Sequence, residues 1–204
     1  MNDLRTTVEL LDWKRRVFAL YAEIRACPPR EGWQLWRRTR DALFRTHPQS
    51  PIPEAQRCSF DGISLYEYDP AFRVEATLEP TTPESYDVPT SGDEQLAFSR
   101  VGRASFDIEG TPHELELYWL STYGGGLFLP FRDATSGTET YGAGRYLLDT
   151  VKGADLGMSG ERLVLDFNFA YNPSCSYDPR WVCPLAPPAN ALDLDVRAGE
   201  KITT

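Results

Sequence analysis

A chain of 204 residues, 41% hydrophobic and 25% charged, is ordinary for a globular protein and long enough for one core, or one domain with an appendage. Its net charge of −9 repels nucleic-acid phosphates and anionic lipid, so neither nucleic acid nor membrane is expected as a partner. No apolar run reaches membrane-spanning length, and the opening MNDLRTTVELLDWKRR lacks the basic-then-apolar layout of a secretion signal, so a cytoplasmic location is expected.

The charge is uneven. Residues 1–50 carry ten Lys and Arg against six Asp and Glu, which leaves eleven against 24 in the remainder. A basic arm on an acidic body is expected to pack against that body or against a second copy, which makes a homodimer one partner to consider. The division expected is a helical arm over 1–50 and a β domain over 51–204.

Thr6 and Glu9 have capping-box spacing, and Leu10, Trp13, Val17, Leu20 and Ile24 then recur at three- and four-residue steps, predicting a first helix. Cys27-Pro28-Pro29 ends it. A second helix is predicted from Gly32 to Arg45, with Trp33, Trp36, Leu43 and Phe44 on one side and Arg37, Arg38, Arg40 and Arg45 on the rest. Those arginines read as a solvated basic face, with a partner-docking face as the competing reading.

After the proline-rich stretch His47–Pro53 the period changes to two. Phe72, Val74, Ala76 and Leu78 alternate with Arg73, Glu75, Thr77 and Glu79, a half-buried strand pattern. Further strands are expected at Ile63–Tyr68, Gln95–Phe98, Ala104–Ile108, Glu114–Leu120, Leu127–Arg132, Arg145–Leu148, Leu163–Phe169 and Leu192–Arg197. The short link at Glu109–Pro112 favours antiparallel pairing. The fold expected is mainly β with an N-terminal helical hairpin, an antiparallel β barrel or sandwich.

The C-terminal third reads LFLPFRDATSGTETYGAGRYL, then LVLDFNFAYNPSCSYDPRWVCPLAPPAN, then AGEK. On these segments, from Phe131 to Lys201, the chain resembles the bacterial family known as domain of unknown function 1684, and Gly62–Leu78 resembles that family's central region more loosely. Ser174, Ser176 and Ala186 depart locally from the family pattern. The resemblance implies a family and no activity.

Read as chemistry, the segments gather Arg132, Asp133, Tyr141, Arg145, Asp166, Asn168, Tyr171 and Asn172. On Leu163–Ala170, Asp166 and Asn168 point away from an apolar face, and the neighbouring Val164 and Ala170 favour an enclosed setting. A buried carboxylate needs partners, and Arg132 and Arg145 are the expected ones. Either these residues form a polar network that locks turns and strand ends, or they line a pocket for a small polar or anionic metabolite. The Asp133–Gly137 run is a turn by composition rather than a phosphate loop, and Tyr141–Gly144 is no dinucleotide fingerprint.

Cys175 and Cys183 allow four readings: packed thiols, a disulfide, metal ligands or a reactive thiol. With no CxxC pair and only His47 and His113, neither a zinc ribbon nor a three-histidine metal centre is available, so no metal and no cofactor is expected. The function expected is binding of a small molecule. One alternative is a hydrolase-like enzyme with Asp133 or Asp166 as general base and Tyr141 as donor. The other is an interaction module acting through the Trp-containing arm.

Overall fold

The computed structural model describes residues 3–93, 95–121 and 124–202. Helix α1 spans Leu4–Arg25, α2 spans Pro29–Thr46, and a single turn, α3, covers Glu54–Arg57. The N-cap of α1 is Asp3, whose carboxylate accepts from the Thr6 amide at 2.8 Å, in place of the Thr6–Glu9 box. Pro29 opens α2 at a position whose N–H would have no helical partner.

Seven strands follow among the described residues: β1 Arg73–Pro89, β2 Gln95–Ile108, β3 Thr111–Leu120, β4 Leu127–Phe131, β5 Arg145–Asp149, β6 Met158–Ser159 and β7 Arg162–Asp166. They form one antiparallel sheet in the order β5-β4-β3-β2-β1-β7-β6, curled into a half-barrel. An antiparallel bridge between Tyr146 of β5 and Tyr171, just past β7, ties the two sides of the curl together. Glu109 and Gly110 turn β2 into β3 with φ of 51° and 81°, the positive values of a two-residue hairpin whose twist matches its strands.

The predicted strands at Gln95–Phe98 and Ala104–Ile108 are one continuous β2. Two other expectations differ. Ile63–Tyr68 makes only a single bridge, Leu65 to Glu200, and Leu192–Arg197 is not a strand. β7 stops at Asp166 because Phe167–Phe169 tightens into a 3-10 turn, capped by the Asp166 carboxylate accepting from the Asn168 amide. Pro80 and Pro83 lie beyond Ala76, the last β1 residue paired with β7, so their missing amides cost that edge no ladder bond.

One core fills the curl of the sheet, with Phe106, Leu115, Leu129, Phe131, Leu165 and Phe167 among its buried members. A second joins helices to sheet through Leu20, Tyr21, Ile24, Trp33, Trp36, Tyr146 and Phe169. Trp36 meets Phe169 edge-on at 5.4 Å, and Trp33 donates its indole N–H to the Asn168 carbonyl at 3.1 Å. With exposures of 4% and 0%, Trp33 and Trp36 are consumed by this packing and present no docking face. Among the described residues no helix is long and apolar enough to cross a membrane.

Candidate functional site

The signature residues separate into a lock, a strand-end clamp, a cavity wall and a thiol pair. The lock is Asp133 with Arg145. The Asp133 carboxylate accepts from Thr135 Oγ1 and Ser136 Oγ at 3.0 Å, the Val196 amide at 2.9 Å and Arg145 Nη2 at 3.1 Å. Arg145 also donates to the carbonyls of Val196 at 3.0 Å, Glu200 at 3.2 Å and Ala198. Burial works against the Arg145 charge and the Asp133 carboxylate works for it, leaving the guanidinium somewhat below its ordinary range. This saturated pair stitches the turn after β4 and the 196–200 segment onto β5.

The clamp is Asp166 with Asn168, and its partners differ from those expected. Asp166 accepts from Arg73 Nη1 at 3.2 Å, from Tyr68 Oη at 3.4 Å and from Asn168 Nδ2 at 2.8 Å. Arg145 is committed to Asp133, and Arg73 sits directly opposite Asp166 in the β1–β7 register, so it takes the role given to Arg132 and Arg145. The Asn168 amide accepts from the Asp69 N–H at 2.9 Å and donates to the Asp69 carbonyl at 2.7 Å, as a strand neighbour would. The enclosed setting is found: Val164, Asp166, Asn168 and Ala170 are all buried. Burial raises the Asp166 carboxyl above the usual carboxylate range, opposed by the hydrogen bonds of Asn168 and the charge of Arg73.

Tyr171 and Asn172 belong to the third group. Between α1, α2 and the chain beyond β7 lies a cavity of about 60 Å³ whose polar wall includes Tyr21, Arg40, Lys152, Tyr171, Asn172 and Tyr177. Arg40 reaches it from α2, its guanidinium ringed by Trp36, Phe44 and Tyr171 at 4.8, 4.9 and 5.0 Å. Its Nη2 pairs with Glu200, which is wholly buried and whose second oxygen accepts from the Asn172 amide and Tyr177 Oη, both at 2.7 Å. Gly199 delivers Glu200 there. Its φ is 78°, and a Cβ would lie 2.5 Å from the Ala170 carbonyl oxygen. Burial opposes the Arg40 charge, but Glu200 outweighs it and holds the guanidinium protonated. Lys152 is likewise neutralised, by Asp149 at 3.0 Å, while Tyr171 donates to the same carboxylate at 3.4 Å.

Two polar atoms of these lining residues are buried with no hydrogen-bond partner: Arg40 Nε, a donor, and Asn172 Oδ1, an acceptor. The orientation of the Asn172 amide is set by Nδ2 donating to the Lys201 carbonyl at 3.0 Å. Two unmade hydrogen bonds on residues that line one small cavity are expensive, about 1–3 kcal/mol each, unless a guest completes them.

The fourth group is Cys175, Cys183 and Tyr141, with Cys183 buried and Cys175 partly exposed. Both are free thiols. Tyr141 Oη lies 3.7 Å from Cys175 Sγ, and burial with that contact pushes the Tyr141 hydroxyl up to about 12. Arg132 joins none of the four: its Nε is buried without a partner, and its backbone bridges to Asn190 and Leu192. No group of three or more His, Cys, Asp or Glu side chains that could hold a metal ion stands together among the described residues.

The structure thus brings eight of the ten singled-out residues into pairs, Asp133 with Arg145, Asp166 with Asn168, Tyr171 with Asn172 and Cys175 with Cys183, and adds Tyr141 to the last. Reading the sequence missed Arg40, Arg73, Tyr177, Lys152 and the role of Glu200. Arg40 was legible in principle. It lies four residues from both Trp36 and Phe44, on the face that those side chains bury.

The chain has known relatives. The family model described as "Protein of unknown function (DUF1684)" matches residues 58–201, and the chain belongs to that family. A solved relative is an uncharacterized protein of Haloarcula marismortui, determined in solution by NMR. It is 39% identical, with a TM-score of 0.58, over 82% of this chain and 91% of that one. No curated protein matches the chain.

Proposed function

We propose that this chain binds a small polar metabolite in the cavity between α1, α2 and the chain beyond β7, through Arg40 and Asn172. The observation that carries the reading is the buried, unpartnered pair Arg40 Nε and Asn172 Oδ1. A guest with a carbonyl to accept from Arg40 and a hydroxyl or amide N–H to donate to Asn172 would complete both bonds. About 60 Å³, at roughly 10–15 Å³ per water-sized group, admits about four to six non-hydrogen atoms. The cationic side chains of the wall are already neutralised, Arg40 by Glu200 and Lys152 by Asp149, which favours a neutral guest over an anion.

Of the signature residues, Tyr171 and Asn172 line this pocket. Asp133 and Asp166, considered as general bases, are occupied by structural hydrogen bonds, so the hydrolase reading draws no support from them. Glycolamide, a neutral molecule of this size with both hydrogen-bonding functions, tests the reading, with glycolate as its charged control. The thermal unfolding midpoint should rise with glycolamide concentration, by an amount equal to about 1.4 kcal/mol at tenfold excess over Kd, and should rise less with glycolate. A midpoint that ignores both compounds contradicts the proposal.

A further inference from the structure

The 173–184 segment holds two sulfur atoms in unequal settings. Past Pro173 the chain makes a 3-10 turn, Ser174–Ser176, which puts Cys175 at a partly exposed position with its amide donating to Cys183 Sγ at 3.4 Å. Cys183 is only 6% exposed, and its backbone is pinned on both sides. Its N–H donates to Ser91 Oγ at 3.1 Å, and its carbonyl accepts from the Ser91 amide at 2.9 Å. Next along the chain, Tyr146 Oη donates to the Pro184 carbonyl at 2.6 Å. The pair therefore consists of a partly exposed cysteine and a buried one whose backbone is held by hydrogen bonds.

We propose that Cys175 and Cys183 form a thiol–disulfide exchange centre whose substrate is a small disulfide. The Cys175 thiolate attacks one sulfur of the disulfide R–S–S–R; that bond breaks and one R–S⁻ departs, leaving R bonded through sulfur to Cys175. Cys183 then gives up its proton and attacks the Cys175 sulfur, forming the Cys175–Cys183 bond and expelling the second R–S⁻, one of the two leaving thiolates taking the proton. The chain loses two electrons and the small disulfide gains them.

The asymmetry of the pair sets this order. The neighbouring Cys183 thiol, with Ser91 and Tyr141, outweighs burial and holds Cys175 down to about 6, so it is largely thiolate at neutral pH. The Cys175 sulfur beside it, with burial, raises the Cys183 thiol above its ordinary value. Once Cys175 is capped by R, its negative charge is gone and Cys183 ionises more readily to attack. Tyr141, pushed up to about 12, stays protonated throughout and keeps a donor beside the reacting sulfur.

The test uses the full chain and oxidised glutathione at neutral pH, followed by peptide mapping without reduction, with Cys27 and Cys58 as internal references. The wild-type chain should yield a Cys175–Cys183 linked peptide, short of two hydrogens, and no lasting glutathione on Cys175. Cys183→Ser should instead accumulate glutathione on Cys175. The rate of iodoacetamide alkylation at Cys175 should be half-maximal near pH 6 in the wild type and move to higher pH in that variant. The proposal is overturned if wild-type Cys175 retains glutathione with no linked peptide, or if Cys58 reacts while Cys175 stays inert. The wild-type map decides on its own should the variant fold poorly.

Discussion

Arg40 of α2 and Glu200, 160 residues apart in sequence, form a buried ion pair that fastens the helical arm to the segment following Gly199. Glu200 is wholly buried and Arg40 keeps only 13% of its side chain exposed, so neither charge has water to fall back on. Removing one partner of such a pair costs about 3–5 kcal/mol, chiefly through the charge left behind. Glu200→Gln should therefore lower the free energy of unfolding in urea by about 3 kcal/mol. A change under about 1 kcal/mol would show that the arm is held by its apolar contacts alone.

The strand-end clamp gives a second expectation. Asn168→Ala deletes both bonds to the Asp69 backbone and one to Asp166, leaving a buried carboxylate short of a donor. A loss of about 2–3 kcal/mol is expected in chemical denaturation. Asn168→Asp, which keeps the size but replaces the donor with a second carboxylate beside Asp166, should be at least as damaging.

Gly199 is a conformational requirement. With φ at 78° and a Cβ landing 2.5 Å from the Ala170 carbonyl oxygen and 2.7 Å from that of Phe167, Gly199→Ala must move backbone. Strain and displacement of Glu200 together should cost about 2 kcal/mol or more. The same variant should weaken glycolamide binding, because Glu200 positions both Arg40 and Asn172.

Acid behaviour follows from Glu139. Arg197 donates to it at 2.7 Å and Tyr66 at 2.8 Å, and these bonds hold the carboxyl down to about 2, against an ordinary value near 4.5. The folded form binds this proton less readily than the unfolded one, so the contribution is complete above pH 4.5 and is lost as pH falls from there toward 2. Stability profiles of the wild type and Glu139→Gln should converge through that window. Parallel profiles would remove Glu139 from the account.

Local pattern made much of this legible. The face of α2 with Trp33, Trp36, Leu43 and Phe44 is buried as its spacing predicts, and the enclosed setting of Asp166 was readable from Val164 and Ala170. Partner choice was not readable. Arg73 meets Asp166 only because β1 lies beside β7, and Arg40 meets Glu200 only because Gly199 turns the chain back toward α2. Both depend on contacts between segments 93 and 160 residues apart, which no periodicity records. Leu192–Arg197 alternates like a strand, yet its ends are spent on Arg132, Asp133 and Arg145 instead of a ladder.

The central claim is that Arg40 and Asn172 face a guest while Asp133, Arg145, Asp166 and Asn168 hold the frame. Its most direct test follows the Arg40 Nε–H resonance in nitrogen-15 correlation spectra of the full chain during titration with glycolamide, the signal being assigned by its loss in Arg40→Lys. The account predicts a saturable shift of that resonance in the wild type and none in Asn172→Leu. A resonance that does not move, or that moves equally in both proteins, would contradict it.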